Sequence, residues 1–360
     1  MRQPSIVTLA RHPVFADAAS ILDRLYETYD FLLECVAPDS WPAAPDGRRI
    51  ARDTALEPTV RHGLDQAVRR IRRTEDCRDE LAVLAHRLGS TKDSAQRATL
   101  AAEAERAGVR HVIEAPGARV ELLTDPALPA RTHQDFAALF RRHLSAGEGA
   151  DHLAPLGPEE TANARDAVRL MLDTAPDLCT GLFRHARYVV AVDGPDAFDS
   201  ASTREIPGVA FVARRCMRTP ERFAEALVHE FVHLRLYDLQ MTRSVFAPDY
   251  DTATAPTVSP EWHRHSPVPR WPVDRALAAA HVYVHLSAWF EERARVCPDP
   301  DLARSAETAA FRAASLLDKV TRRAEACLGP AGMDFLGWLA REHGRRTAPA
   351  PAATGTRLPS

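Results

Sequence analysis

The stretch that most constrains this chain runs from Phe223 to Leu239 and reads F-A-E-A-L-V-H-E-F-V-H-L-R-L-Y-D-L. Apolar residues surround it on nearly all sides at helical spacing, which predicts a helix buried in the protein core. These residues are Leu227, Val228, Phe231, Val232, Leu234 and Leu236. His229 and His233 are one helical turn apart in this helix, so both imidazoles project from the same face, with Glu230 beside them.

The three polar residues form the pattern H-E-x-x-H, in which one helix presents two imidazoles to a single divalent metal ion. Two imidazoles and a carboxylate are costly to bury in an apolar helix unless a partner satisfies them, and a metal ion does so well. The alternative is a pair of core histidines that hydrogen-bond to backbone. We favour a metal site formed by His229 and His233, with Glu230 as the catalytic residue.

A second helix, predicted from Ala276 to Arg295, carries His281, His285 and Glu292 on one face because their spacings are four and seven residues. A third metal ligand is expected from this face, and the spacing alone does not separate the three candidates. The alternative is that these are ordinary, partly buried histidines.

A strand is predicted at Val209–Ala213, shortly before Thr219 and Pro220, which are a suitable N-cap and first residue for the motif helix. A sheet edge beside such a helix can hold an extended peptide by strand addition. Val209 and Phe211 are therefore candidate substrate-binding residues, with a plain core strand as the alternative.

The segment from Met241 to Pro272 is long, polar and proline-rich, and Trp262, Arg264 and Arg270 lie in its second half. A loop of about thirty residues without regular structure is unusual in a compact domain unless it is functional. We therefore expect a lid or a substrate-binding loop here, with Trp262 as a contact for the substrate.

The composition excludes several classes of protein. A net charge of -3, from 46 Lys and Arg against 49 Asp and Glu, gives no electrostatic reason to expect nucleic acid or an anionic membrane as partner. The six cysteines lack C-x-x-C spacing, which argues against a zinc ribbon or a disulfide framework.

The N-terminus lacks the apolar core of a signal peptide, and no apolar run approaches the roughly 20 residues of a membrane span. We expect a cytoplasmic protein, and a homodimer is compatible with the sequence.

The predicted fold class is α+β, predominantly α-helical, with a small sheet beside the H-E-x-x-H helix. A helical N-terminal region, 1–155, is expected to pack on a metal-binding catalytic region, 156–345, followed by a disordered Pro/Ala/Thr tail, 346–360. Strands are expected at Tyr188–Val192 and Val209–Ala213, and Val109–Leu123 is expected to form two short strands or a loop. A further helix is expected at Gln134–Leu144.

Part of the chain, from about Asp166 to Arg293, resembles a known family. The quoted segments are S-A-S-T-R-E-I-P-G-V-A-F-V-A, E-A-L-V-H-E-F-V-H-L-R-L, W-H-R with R-W-P, and A-H-V-Y-V-H-L-S-A-W-F-E-E. They resemble the actinobacterial H-E-x-x-H proteins linked to ribosomal peptide natural-product clusters, which are described as iron- and 2-oxoglutarate-dependent peptide β-hydroxylases. The resemblance covers roughly a third of the chain well.

The resemblance implies iron(II) at His229 and His233, 2-oxoglutarate as co-substrate and a precursor peptide as substrate. The family's Arg-Pro segment is matched only in part, by Arg270 and Pro272, so Arg270, Arg264 and Arg275 are all candidates for binding the distal carboxylate of 2-oxoglutarate. His285 is favoured over His281 as third ligand, because Tyr283-Val284-His285 lies where the family's helix is expected to turn inward.

Two other functions remain open. A zinc peptidase would use Glu230 to deprotonate a zinc-bound water, although no His or Glu between Gln240 and Pro260 offers a close third ligand. A metal-stabilised peptide-binding protein is the other possibility. Structural zinc sites are usually rich in cysteine, and no cysteine is near these histidines in the sequence.

Overall fold

A computed structural model describes residues 5–38, 41, 47–90, 105–106, 110–124, 156–193, 198–264 and 269–347. The helices of these ranges are α1 Ser5–Ala10, α2 Ala18–Val36, α3 Arg52–Ala55, α4 Pro58–Arg72, α5 Arg78–Ser90, α6 Pro158–Thr174, α7 Pro176–Phe183, α8 Pro220–Thr242, α9 Val273–Val296, α10 Pro300–Thr321 and α11 Pro330–Thr347. The strands are β1 Arg110–Ala115, β2 Ala118–Leu123, β3 Tyr188–Val192, β4 Ser200–Ser202, β5 Val209–Ala213, β6 Thr257–Val258 and β7 Trp271–Pro272. The predicted Gln134–Leu144 helix and the tail after residue 347 lie outside the described residues.

The predicted class is confirmed, since the described chain is mainly helical with one five-stranded sheet and one two-stranded sheet. The larger sheet has the order β1-β2-β3-β5-β4. β1 and β2 form an antiparallel hairpin, so Val109–Leu123 contains two short strands rather than a loop, and Gly117 in its turn has φ +80°, a value that favours glycine. Strands β2, β3 and β5 are parallel, whereas β4 runs antiparallel to β5. No described helix is long and apolar enough to cross a bilayer.

Strand β5 corrects the expectation for Val209 and Phe211. It pairs with β3 on one side and β4 on the other, and both side chains are 0% exposed. A strand paired on both sides has no free edge for a peptide, so the predicted substrate-binding role of Val209 and Phe211 is wrong. The end strand next to β5 is β4, which was not identified as a strand from the sequence.

Helix α8 carries the motif through the centre of the protein. Thr219 caps it by accepting a hydrogen bond from the backbone N–H of Arg222, and Pro220 is its first residue, as predicted. Leu227, Val228 and Phe231 are fully buried against neighbouring helices and the sheet. Truncating one such side chain, as in Leu227→Ala, is expected to cost about 2 to 5 kcal/mol of stability.

A buried ion network joins the N-terminal helices to α8. Arg61 of α4 pairs with Asp238 of α8, and Asp65 of α4 accepts a hydrogen bond from Tyr29 of α2. His185, which follows α7, donates from Nδ1 to Asp238 Oδ2 at 2.7 Å. Burial alone would raise the pKa of Asp238, but Arg61 and His185 outweigh it and hold that pKa below its usual range. The carboxylate is therefore ionised and paired inside the protein.

The segment between α8 and α9 is more ordered than the sequence indicates. It contains the paired strands β6 and β7 and a 3₁₀ turn at Glu261–His263. Lys319 of α10 donates to the carbonyl of Ser259 at 2.9 Å, and Tyr250 donates to Asp274 of α9 at 2.9 Å. These contacts fix most of the predicted loop against α9 and α10.

Candidate metal site

The two histidines of the motif lie together on α8, with ring centroids 5.1 Å apart. The His229 side chain is 36% exposed, whereas His233 lies deeper, with its Nδ1 atom buried. Burial, and then the neighbouring His229, lowers the pKa of His233 well below its ordinary value. His233 is therefore neutral near pH 7, the form in which an imidazole binds a metal ion.

Glu230 is buried beside this pair, with its side chain 2% exposed. Its Oε1 accepts a hydrogen bond from Ser200 Oγ at 2.6 Å and lies 3.9 Å from His229 Nε2. Its Oε2 is buried and forms no hydrogen bond with any described residue. The helix and β4 together hold this carboxylate next to the position where a metal ion bound by the two histidines would lie.

The motif extends into a stripe along α8 at four-residue spacing, formed by Glu225, His229, His233 and Tyr237. The ring of Tyr237 stacks on His233, with centroids 6.0 Å apart and an interplanar angle of 11°. Burial and then Glu230 raise the pKa of Tyr237, so its hydroxyl stays protonated. The sequence reading missed Tyr237, although counting four residues on from His233 would have found it.

Strand β4 forms one wall of the site. Ser200 contacts Glu230, and the Tyr237 hydroxyl lies 3.5 Å from the carbonyl oxygen of Ser202. Because side chains alternate along a strand, Ser200 and Ser202 share the face toward α8, and Ala201 faces the other way. β4 is the last strand of the sheet, and its outer edge has no strand partner in the described part of the chain.

His229 and His233 fit a metal ion as a pair of nitrogen ligands on a half-open face of α8. Three buried polar atoms at the site, Glu230 Oε2, His233 Nδ1 and Ser202 Oγ, have no hydrogen-bond partner among the described residues. Such atoms are uncommon in a core, and a bound metal ion or water would satisfy them. However, no set of three His, Cys, Asp or Glu side chains in the described ranges is placed to hold a metal ion. Other metal positions would fall to residues outside those ranges, to water or to a co-substrate.

The predicted third ligands lie elsewhere. His281 and His285 of α9 are 1% and 0% exposed, and the Nε2 atoms of both accept hydrogen bonds from Nη2 of Arg235, at 3.1 Å and 2.6 Å. Glu292 pairs with Arg295 on its own helix. In the described structure none of the three joins His229 and His233 in a set that could hold a metal ion, so a third ligand from α9 stays a prediction.

Arg235 is a residue that the sequence reading missed. It follows His233 by two positions on α8 and so projects from a different side of the helix. The side chain is 1% exposed and has no carboxylate partner among the described residues, and burial lowers its pKa to about 9. Only two neutral imidazoles receive its hydrogen bonds.

The arginines predicted to bind 2-oxoglutarate are also away from the motif. Arg264 and Arg270 are exposed, and Arg275 lies over the ring of Trp271, 4.7 Å from its centroid. None of the three forms a hydrogen bond, ion pair or ring contact with His229, Glu230 or His233 in the described structure. Their predicted role stays untested.

Trp262, predicted to contact the substrate, packs on the far side of α9. Its ring meets Tyr283 edge to face, with centroids 5.9 Å apart, and Arg312 lies 5.4 Å from the ring centroid. Tyr283 is two residues from both His281 and His285, which face α8, so it projects away from α8. The structure therefore does not bring Trp262 to the motif.

Two cavities of the described structure are also remote from the motif. One measures about 930 Å³ and lies between β1 and α6, with Val112, Arg165 and Val168 among the residues that line it. A smaller one of about 250 Å³ lies beside Arg61 and His185. No residue of the H-E-x-x-H motif lines either of them.

Comparison with known proteins assigns no family. A scan against models of protein families found no match, and a search of curated proteins found none. The case for a function therefore rests on the motif, on the geometry around it and on the resemblance of the quoted segments.

Proposed function

We propose that this chain is an iron(II)- and 2-oxoglutarate-dependent oxygenase that hydroxylates a side-chain β-carbon of a ribosomally made peptide. The observation that carries the proposal is the pair of imidazoles, 5.1 Å apart on a half-open helix face, beside the free edge of β4. The pair supports metal-dependent chemistry, and the edge supports an extended peptide as substrate. The choice of oxidation over hydrolysis rests on the resemblance of the segments between Asp166 and Arg293.

Each residue of the site has a role in this proposal. His229 and His233 would hold the iron, and iron with open positions supplies the binding of 2-oxoglutarate and the activation of oxygen. Glu230 keeps a carboxylate beside the metal position, and Ser200 fixes the orientation of that carboxylate by donating to Oε1. Tyr237 packs flat on His233 and restricts the rotation of its ring.

The peptide would bind along β4. An extended segment that pairs with the outer edge of β4 receives main-chain hydrogen bonds, and its side chains alternate between the two faces of the sheet. The side chains on the same face as Ser200 and Ser202 would point toward α8. One of them would lie next to His229 and His233, and its β-carbon is the proposed site of reaction.

The test uses the full chain loaded with iron(II) in the absence of oxygen. Addition of 2-oxoglutarate should produce a visible metal-to-ligand charge-transfer band, which the zinc-loaded control cannot show because the filled d shell of zinc is redox-inert and gives no visible transition. Admitting oxygen should bleach the band and, with a candidate precursor peptide as substrate, form succinate, carbon dioxide and a peptide one oxygen atom heavier; a short peptide encoded next to this chain would be the first candidate. Absence of both the band and 2-oxoglutarate-dependent turnover would contradict the proposal.

A zinc peptidase is the second candidate, and the position of Glu230 favours it. Its Oε1 lies 3.9 Å from His229 Nε2, so the carboxylate is close enough to act as a base toward a water on the metal. Zinc-loaded protein would then cleave the peptide into two fragments, and Glu230→Gln would stop the cleavage. That result, together with no charge-transfer band, would replace the oxygenase by the peptidase.

A further inference from the structure

The turn that follows β4 is held by one face of α4. His62 of α4 donates from Nδ1 to the backbone carbonyl of Glu205 at 2.6 Å. One helical turn further on, Gln66 donates to the Glu205 carboxylate, and Arg69 donates to the same carboxylate at 2.8 Å. Arg69 also donates to the backbone carbonyl of Arg204 at 2.9 Å. Spacings of four and three residues place the three donors on the same face of the helix.

An adjacent face of α4 holds the motif helix. Arg61 pairs with Asp238 inside the protein, and Arg72 donates to the backbone carbonyl of Met241 at 2.6 Å. Arg61 and Arg72 are about three helical turns apart, so they share a face that is rotated by about 100° from that of His62. Helix α4 is therefore joined both to α8 and to the turn that leads out of β4, and α8 and β4 are the two walls of the candidate metal site.

Strand β4 is short and depends on contacts at both of its ends. It pairs with β5 over the three residues Ser200–Ser202, and its outer edge has no strand partner in the described ranges. At its start, Arg215 donates to the Asp199 carboxylate at 3.0 Å. At its end, the contacts from α4 to Glu205 hold the chain. A strand with so short a ladder on one side opens readily unless its ends are fixed.

We propose that Arg69 and Glu205 are a positioning pair, through which α4 sets the distance between β4 and α8. Ser200 of β4 donates to Glu230 of α8 at 2.6 Å, so a shift of the strand would move both the peptide-binding edge and the partner of that carboxylate. The side chains of the pair are 22% and 28% exposed, so water screens their attraction only in part. The inference deepens the proposed function and rests on it, because it gives the N-terminal region a part in holding the peptide.

The first arm of the test measures hydrogen exchange by mass spectrometry in the full-length, iron(II)-loaded protein without oxygen. Arg69→Ala should speed the exchange of amides in residues 198–206 about tenfold, because a partly shielded hydrogen bond between charged groups is lost. Exchange in α8 should stay as in the wild type. Arg70→Ala is the matched control, since Arg70 is the next residue of α4 and pairs with Glu75 and Glu80 instead. It should leave the exchange of β4 unchanged.

The second arm measures the affinity for a fluorescently labelled candidate precursor peptide by anisotropy, with the same protein and no oxygen. Arg69→Ala should weaken peptide binding about tenfold, whereas the affinity for iron(II) alone should equal that of the wild type, because His229 and His233 stay on α8. Loss of folding would lower both affinities, so a loss confined to the peptide is a result that a merely structural role would not produce. Arg69→Lys should recover part of the peptide affinity, since lysine keeps one charged donor to Glu205.

A double-mutant cycle tests whether the two residues act together. Glu205→Ala should weaken peptide binding as Arg69→Ala does. The variant with both changes should bind the peptide more tightly than the product of the two single effects predicts, because residues in direct contact are not additive. Additive effects would show that the two residues act separately and would overturn the pair.

Faster exchange at β4 together with weaker peptide binding in Arg69→Ala, and neither in Arg70→Ala, supports the positioning pair. Unchanged exchange at β4, or faster exchange with unchanged peptide affinity, overturns it. An equal effect of Arg70→Ala, or a wild type that binds no peptide, also overturns it. The charge-transfer band with 2-oxoglutarate is measured separately. If the band is missing while the Arg69-dependent peptide affinity is found, the positioning pair stands and the oxygenase falls.

Discussion

Two histidine pairs with the same spacing have different surroundings in this protein. His229 and His233 on α8 and His281 and His285 on α9 are each one turn apart, with ring centroids at 5.1 Å and 4.5 Å. The first pair lies on a half-open face, and its deeper ring leaves Nδ1 without a hydrogen bond in the described structure. The second pair is fully buried, and both Nε2 atoms point at one nitrogen of Arg235.

The difference teaches that spacing brings two imidazoles together but does not decide what they bind. In the second pair, the guanidinium of Arg235 takes the place at which two Nε2 lone pairs converge, which is where a metal ion would otherwise lie. The protein supplies its own cation there. In the first pair no side chain of the described residues takes that place, so it is the pair that fits a metal ion.

Substitution in the first pair should have the largest effect. His229→Ala or His233→Ala should lower metal affinity more than about 100-fold, since loss of a ligand exceeds the effect of losing a supporting contact. Metal content after dialysis and calorimetry with zinc or iron(II) would measure this. His281→Ala and His285→Ala serve as controls and should keep the metal. A comparable metal loss in either control would identify it as the third ligand expected from the sequence.

Glu230→Gln should separate chemistry from binding at the first pair. The amide keeps the shape and an oxygen that can accept from Ser200, but it removes the charge beside the metal position. Turnover should fall by about 10² to 10⁴-fold while metal content and the unfolding temperature change little. Full activity in the Gln variant would remove the proposed role of Glu230 in both the oxygenase and the peptidase.

Arg235→Ala should act on the second pair and on stability. It leaves a cavity and two buried acceptors without a donor, which should cost about 3 kcal/mol in urea unfolding. Arg235→Met fills most of the volume, so it should recover about half of that loss. In the Ala variant the two freed Nε2 atoms should bind one additional zinc ion per chain, seen by metal analysis. Unchanged stability would show that Arg235 does not close the second pair.

Lowering the pH should destabilise the protein, because the second pair, His281 and His285, is buried in the neutral form. Burial, followed by neighbouring charges that include Arg235, lowers the pKa values of His281 and His285 well below the ordinary value. The unfolded chain then binds more protons than the folded one below pH ~6.5. The stability that these two histidines contribute is therefore fully present above that pH and is lost as the pH falls. Each such histidine contributes a slope of up to about 1.4 kcal/mol per pH unit. Urea unfolding between pH 7.5 and 5.5 should show a shallower slope for His285→Gln, and parallel curves would contradict this.

Structural features that depend on residues close together in the chain are predictable from the sequence. The α8 cap at Thr219 and Pro220, the shared face of His229 and His233, and the hairpin around Gly117 all follow from residues a few positions apart. Local rules of spacing and backbone preference are enough for such features. For the same reason the predominantly helical class with a small sheet was predictable.

Features that depend on distant parts of the chain were not predictable. The motif helix and α9 each carry histidines, and only their packing shows that Arg235 faces His281 and His285. β5 and β4 are both short strands before α8, and the order of the sheet alone shows that β4 has the free edge.

The contact of Arg61 with Asp238 limits how this chain could exchange parts with other proteins during evolution. The carboxylate belongs to the motif helix, and the cation that neutralises it comes from the region before residue 155. A recombination event that replaced that region would leave the Asp238 carboxylate buried without its cation, which costs about 3 to 5 kcal/mol of stability. The two regions should therefore be inherited as one unit, and descendants should change positions 61 and 238 together.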